Sequence, residues 1–499
     1  MSNIIKKIKK ENVTWGLAIA CIIIFTLLML LVFWSEKIPG YERHQTIVCG
    51  VVIIAFVLVI ALYCFVKIKF HQWVFIFLII AGGLSLLIQP ILNIPDEYVH
   101  LARAEMISEG RVFVNPEETE FPTIQSVKDL THFSKTSYTK TDLKGKEINY
   151  NRTTISHIAG ANLSFLYFPQ TIGILLAKIL HLNVIWMLWL GRFFNLLVYC
   201  ILISVAIKLA DKWSFVLFYM ASLPISIQQA ASFSPDVLIN GLSILLIAYF
   251  IHLYCKEDKC ITKRELLCFL CISVLIPLAK ITNIFIAGLV LLLPMKNIDK
   301  KKRVVIKTSF ICIVCVVGGA YYLYTTKFGV NLEHLKYLRT MHVDAGKQIN
   351  YILTDTSKWL REFISSLSNQ FNDIISSLNS FGYLEYGYSI LNLLTIFMFS
   401  KVCFQEEKIG LTNIDKVLVT LMSVGIYTFS CLALYISWTT VKAKGILGMQ
   451  GRYLIPMIAL TSLMFGTSNQ RKKADHTVDV TVISSMIGIM LIVTTVRYF

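Results

Sequence analysis

Two adjacent acids, Asp96 and Glu97, open the stretch PDEYVHLARAEMISEG (95–110) directly after a long apolar run, and His100 follows one helical turn after Asp96. A carboxylate and an imidazole four residues apart share a helix face, so Asp96 and His100 could act together on one substrate hydroxyl or one cation. Asp96, Glu97 and His100 are also the set that a divalent cation, Mg or Mn, would use, although nothing in the residues requires a cofactor. The plainer reading is a cap, because an acid at a helix N-terminus complements the macrodipole. Asp236, at the end of ASFSPD, starts another apolar run, and Lys280 lies where a further one breaks, at a depth where an ionisable group is expensive unless it snorkels or is used. In GILGMQGRYLIP (445–456), three glycines let backbone approach a ligand, and the planar fork of Arg452 suits a phosphate at headgroup depth.

Positioning these groups is a task for a membrane scaffold. Of the 499 residues, 56% are hydrophobic and only 15% charged, far from the balance of a soluble domain. A bilayer core of about 30 Å needs roughly 20 apolar residues as a helix, and lipid offers no partner for backbone polar groups, so the spans must be helical. The apolar runs 13–34, 46–66, 72–92, 184–208, 213–231, 236–255, 264–280, 281–295, 303–325, 386–403, 414–438, 452–468 and 478–497 predict an all-α polytopic membrane protein of about thirteen transmembrane helices. The segment 158–181 is apolar but holds Asn162, Pro169 and Gln170, and is expected to lie at the interface.

Lys and Arg in short loops mark the cytoplasmic side. With KKIKK at the N-terminus inside, the basic loops near 67–72, 208–213, 256–265, 296–303, 401–408 and 468–476 also fall inside. The segments 93–156 and 326–385, and the turns around 228–236 and 437–451, then face outwards. Asp96, Asp236 and Arg452 share that outer side. Within 326–385, Trp359, Phe363, Leu367, Phe371, Ile374 and Leu378 recur at three- and four-residue spacing, predicting an amphipathic helix able to lie on the membrane and cover a cavity.

The net charge of +17 is concentrated in the inner loops, where it orients the chain and meets anionic lipid, and no nucleic-acid partner is expected. Twelve cysteines include two CxxC pairs, Cys268 with Cys271 and Cys312 with Cys315. Both lie inside apolar spans without polar neighbours, which argues against a metal centre. No cleavable signal peptide is expected, and the first apolar run reads as a retained anchor.

In this order, PDEYVHLARAEMISEG, ASFSPD, LAKIT, FGYLEYG and GMQGRYLIP resemble the bacterial membrane-protein family called domain of unknown function 2142, from about residue 75 onwards. That family is similar to the GT-C superfamily of polytopic glycosyltransferases, which use polyprenyl-phosphate-linked sugars outside the cytoplasmic membrane and keep a catalytic acid in the first outer loop. The resemblance implies a GT-C-like bundle at 71–499 with outer juxtamembrane helices, the catalytic loop at 93–156 and a lid at 326–385. Residues 1–70 would be a cytoplasmic tail and an added hairpin, since the acids follow the third span rather than the first.

It also implies roles: Asp96 as general base with Glu97 beside it, Arg452, Lys280, Gln450 and Tyr453 on the donor phosphate, and His100, Arg103, Asp236 and Glu385 around the substrate cavity. The expected activity is inverting transfer of a sugar from a polyprenyl-phosphate donor to a glycan or lipid acceptor at the outer face of a bacterial cytoplasmic membrane. The competing classes are a transporter or flippase of lipid-linked sugars, which predicts broken helices in two related halves, and a surface-glycan polymerase or ligase, which predicts its chemistry in a later outer loop.

Overall fold

The computed structural model describes residues 2–36, 43–113, 120–156, 162–328, 337–382, 387–466 and 475–499. Among them, eight helices are long and apolar enough to cross a membrane: Trp15–Glu36, Arg43–Phe65, Phe70–Ile88, Val184–Ala221, Asp236–Tyr254, Lys300–Thr325, Asn413–Ser437 and Thr477–Tyr498. The chain is a multi-pass, essentially all-helical membrane protein.

The other spans expected from hydropathy are helical but short or broken. The run 213–231 divides into α8 (Ser214–Ala221) and α9 (Pro224–Ala230), because Pro224 opens a new helix at its first turn. Residues 264–280 form α11 (Lys263–Ala279), with Pro277 near its end, and 281–295 become a 12-residue 3-10 run, Ile281–Leu292. The run 386–403 gives the 17-residue α15 (Ser389–Gln405), while 452–468 gives a short 3-10 turn, Gly451–Leu454, followed by α17 (Ile455–Ser462). Hydropathy registers the apolar character of these segments without registering where the backbone turns.

At the start of the chain, α1 (Ser2–Glu36) and α2 (Arg43–Phe65) form an antiparallel hairpin against the last helix, α18 (Thr477–Tyr498). Met29 packs so close to Gly488 that a β-carbon there would lie 2.8 Å from its sulfur. Lys401 on α15 reaches the fully buried Asp479 on α18, tying this layer to the rest. Between α2 and α7 (Val184–Ala210) stands α3 (Phe70–Ile88), whose Trp73 and Phe77 join Phe56 and Phe218 in one aromatic cluster.

The segment after α3 holds α4 (Glu97–Ser108), α5 (Gln125–His132) and a two-stranded antiparallel ribbon, β1 (Glu120–Ile124) with β2 (Arg152–Ser156). This ribbon is an addition to the all-helical expectation. The helix α6 (Phe168–Ile179) is too short to span and leaves Ile172, Leu175 and Ile179 exposed. On its other side Gly173 meets the backbone of α7 (Val184–Ala210), where a β-carbon would lie 2.3 Å from the Leu190 carbonyl. Later in the chain, α10 (Asp236–Tyr254), α12 (Lys300–Phe328) and α16 (Asn413–Ser437) complete the long helices, and α13 (Ala345–Thr354) and α14 (Thr356–Leu378) lie between α12 and α15.

Candidate functional site

Alternation of helix direction brings the polar residues together. The chain leaves α3 shortly before Asp96, enters α10 at Asp236, leaves α11 at Lys280 and passes from the end of α16 to Arg452 before α17, so these helix ends meet at one end of the bundle. Arg452 is the hub. Its Nε stands 3.3 Å from Asp236 Oδ2 and its Nη2 stands 4.0 Å from Asp96 Oδ2. Nη1 donates to Gln229 Oε1 at 3.1 Å, and Nη2 donates to the Tyr453 hydroxyl at 3.3 Å. The Lys280 ammonium caps the Tyr453 ring, 3.3 Å from its centroid, a cation–π contact that holds the charge where desolvation opposes it. The two anions and two cations balance, which is how ionisable groups persist at this depth.

Asp96 reaches the hub through an unusual backbone. Its φ of 63° and ψ of 13° are left-handed, a region that Asp tolerates better than most residues, and its side chain does not cap α4. The capping alternative is therefore not the arrangement found. The carboxylate is 37% exposed, against 11% for Asp236 and 3% for Arg452, so of these three Asp96 is the one most open to an incoming molecule.

Glu97 does something different from the role expected of it. Its side chain is fully buried, and Arg192 grips it with Nε and Nη2, each at 2.8 Å. Its Oε1 also accepts the Phe233 amide at 3.3 Å, while Arg192 Nη2 donates to the Pro90 carbonyl at 3.0 Å. This corrects its assignment beside the base: the pair ties α4, α7, the loop after α3 and the turn before α10 together. Neighbouring Asn195 reinforces that turn by donating to the Ser232 and Ser234 carbonyls.

Arg103, expected in the cavity, instead holds the chain beyond α4, donating to the Val112 carbonyl and to Ser164. His100 pairs through Nδ1 with the Tyr167 hydroxyl at 2.9 Å, and that hydroxyl also accepts from Asn162. Burial lowers its pKa from the usual 6.5 to about 4 despite the pull of Asp96 and Asp236, so the ring is neutral at physiological pH. The ligand set Asp96, Glu97 and His100 is thus divided, and no group of three or more His, Cys, Asp or Glu among the described residues is arranged to hold a metal ion. Glu385 lies outside the described residues.

The glycines of 445–456 also need correcting, because their work is internal. Gly451 lies beneath α14, its N–H donates to Ser377 Oγ at 2.5 Å, and a β-carbon would stand 2.4 Å from the Ile374 carbonyl. Gly448 takes a φ of 82° against Trp438, and Gly445 has open space around it. Helix α14 therefore rests directly on the turn that carries Arg452. Of its expected apolar face, Phe363, Ile374 and Leu378 are buried, whereas Phe371 is exposed together with Leu360 and Ile364. At 100° per residue, Leu360, Ile364 and Phe371 fall within about 40° of one another, so α14 shows one edge to the protein and a second apolar edge outward.

Gln229 was not singled out from the sequence, although two glutamines within an apolar stretch were the available signal. Arg192 had a clearer one, since a charge inside a span requires an acid partner. A cavity of about 960 Å³ lies at the other end of α3, lined by Phe70, His71, Lys208, Lys212, Glu406 and His476 among others; it is remote from the Arg452 cluster.

A family model described as a predicted membrane protein, DUF2142, matches residues 78–461. No curated protein and no solved structure matches the chain. The matched region contains every residue of the Arg452 cluster and leaves α1, α2 and α18 outside it.

Proposed function

The chain belongs to the DUF2142 family of predicted membrane proteins, and from that premise and the Arg452 cluster we propose that it is a membrane glycosyltransferase of GT-C type. It moves a sugar from a polyprenyl-phosphate donor to a glycan or lipid acceptor at the outer face of a bacterial cytoplasmic membrane. The observation that supports this most is Arg452 between two carboxylates of unequal hold, Asp236 at 3.3 Å and Asp96 at 4.0 Å.

Such a reaction needs a cationic seat for the leaving phosphate and a base for the acceptor. Asp236 and Gln229 hold the guanidinium in place. A donor phosphate enters beside Arg452 and Lys280 and replaces the weaker contact to Asp96. The Asp96 carboxylate then takes the acceptor hydroxyl's proton as that oxygen bonds to the anomeric carbon and the carbon–oxygen bond to the lipid phosphate breaks, which inverts the centre. The leaving group departs as a phosphate anion paired with the two cations. Helix α14, seated on the Arg452 turn with an apolar edge outward, covers the site from the membrane surface, and the lipid tail lies between spans.

The test is transfer from a native pool of polyprenyl-phosphate sugar into membrane or cell-wall acceptors, comparing wild type with equally expressed Asp96→Asn, with and without chelator. Loss of a general base is expected to slow transfer by about 100- to 10,000-fold while donor binding persists. Undiminished transfer in the variant rejects Asp96 as base. Absence of transfer in wild type, with lipid-linked sugar crossing the bilayer, replaces the enzyme by a flippase.

A further inference from the structure

The cavity of about 960 Å³ at the other end of the bundle has no part in the reaction proposed above, and its volume falls within the range of small-molecule pockets, about 300–1,000 Å³. Residues from four of the basic loops that mark the inner side line it: 67–72, 208–213, 401–408 and 468–476. It lies at headgroup depth, because Trp15, Phe70 and Thr477 begin spans there, Phe65 ends one, and all four line it.

The lining charges are of both signs and unevenly placed. Where α7 ends and α3 begins stand Lys69, Lys208 and Lys212, with Asp211 as the acid among them. Ser204 donates to the His71 carbonyl at 2.8 Å, and Lys208 follows one turn later on the same face of α7, which brings it beside the start of α3. Where α15 ends and α18 begins stand Glu406, Glu407 and Asp475 with His476, whose ring lies flat on Phe215 at 3.8 Å. Part of this charge is spent internally. Lys212 pairs with Glu407 at 3.1 Å, and His476 stands 3.6 Å from Glu406 and 2.9 Å from Asp479. Among the described residues, Lys69 and Lys208 have no acid within ion-pair distance, and Asp475 has no cation. On the acid side Gln405 adds a buried Oε1 with no hydrogen-bond partner among the described residues.

A phosphate alone would answer the lysines and leave the acid side unmatched; a lone cation would do the reverse. A neutral headgroup that carries a phosphate and a primary ammonium answers both, its three N–H donors suiting a carboxylate and an amide oxygen. The bilayer is at hand to supply it. Trp15, stacked on Phe65 at 4.5 Å, is 53% exposed, and Ile19 and Ile23 continue the same exposed face of α1 into the span, where an acyl chain can lie. We infer that this cavity seats the headgroup of an aminophospholipid, phosphate toward Lys69 and Lys208, ammonium toward Asp475 and Gln405. The seat is independent of the Arg452 site, so its failure would leave that reading untouched.

The experiment is native mass spectrometry of the full chain in detergent, with palmitoyl-oleoyl phosphatidylethanolamine and phosphatidylglycerol at equal concentration as probes. Basic inner loops by themselves favour the anionic lipid, so the seat predicts the opposite order. Phosphatidylethanolamine is expected to bind about threefold or more tightly than phosphatidylglycerol, the size of one partly exposed ion pair. Lys69→Gln combined with Lys208→Gln should weaken both lipids by about tenfold, and Asp475→Lys should reverse their order. The three positions are exposed, and the variants are expected to melt as wild type does; where Asp475→Lys does not fold, Asp475→Asn serves and should abolish the preference.

Phosphatidylglycerol binding as tightly as phosphatidylethanolamine overturns the seat, as does phosphatidylethanolamine binding undiminished by the lysine pair or a preference that survives at Asp475. Glycerophosphoethanolamine, which lacks the acyl chains, is added as competitor at the same concentration. Failure to displace the lipid supports the bilayer as the source; full displacement overturns it.

Discussion

Glu97 and Arg192 meet in two parallel hydrogen bonds of 2.8 Å inside the protein, while Asp96, the residue before, turns its carboxylate toward Arg452. The left-handed backbone at Asp96 separates the two acids. One became part of the frame and the other part of the cluster.

Removing one side of the frame should therefore be a stability defect before it is anything else. Glu97→Gln leaves Arg192 buried without its counter-charge, at a cost of about 3–5 kcal/mol. Detergent-solubilised protein is expected to melt at a clearly lower temperature or fail to yield a monodisperse fraction. The pair replacement Glu97→Leu with Arg192→Met removes both charges and should recover much of the loss. A stable Glu97→Gln protein that folds like wild type and fails only in transfer would return Glu97 to the reaction.

The glycines of 445–456 should separate sharply. At Gly451 an alanine methyl would press on the Ile374 carbonyl and Ser377, pushing α14 off the Arg452 turn, and overpacking of this kind costs about 1–3 kcal/mol. Gly445→Ala meets nothing and is expected to be neutral. Parallel thermal melts of the two variants check this; equal melting temperatures would show that α14 yields without cost.

Arg452 is held as a fork, by Asp236, Gln229 and Tyr453 together. Lysine keeps the charge but offers neither the planar geometry nor the several donors. Arg452→Lys is expected to fold, to bind inorganic phosphate more weakly by about tenfold, and to raise the donor KM more than it lowers kcat. Asp236→Asn, which loosens the fork without touching its charge, should shift the same quantities in the same direction by less. Isothermal titration with phosphate and donor-saturation kinetics read both; a Lys variant equal to wild type would reduce Arg452 to a point charge.

Much of this was legible from residue types. Asp96, Asp236, Lys280 and Arg452 stood out because ionisable groups at span ends are costly, and the four do converge. What a linear pattern cannot carry is which way a side chain turns. Asp96 and Glu97 look interchangeable in the chain, and only the φ of 63° and the position of Arg192, 95 residues on, assign them. Likewise, hydropathy marks 281–295 and 452–468 as apolar, but the 3-10 backbone of the one and the short helix of the other depend on neighbours elsewhere in the sequence. Gln229 needed tertiary contact to matter at all.

His100 makes the pH dependence predictable. Its folded pKa of about 4 lies below the 6.5 of an unperturbed histidine, chiefly because burial disfavours the charged ring. Below pH 6.5 the unfolded chain takes up a proton that the folded chain refuses, so this contribution to stability is complete above that pH and is lost as pH falls toward 4. The full shift corresponds to at most about 3 kcal/mol, reduced by the partial exposure of the ring. Wild type should therefore lose more thermal stability between pH 7 and pH 5 than His100→Gln, which can still bond to Tyr167 but does not titrate. Identical slopes for the two proteins would mean that the ring is hydrated in solution and that its pairing with Tyr167 does not keep it neutral.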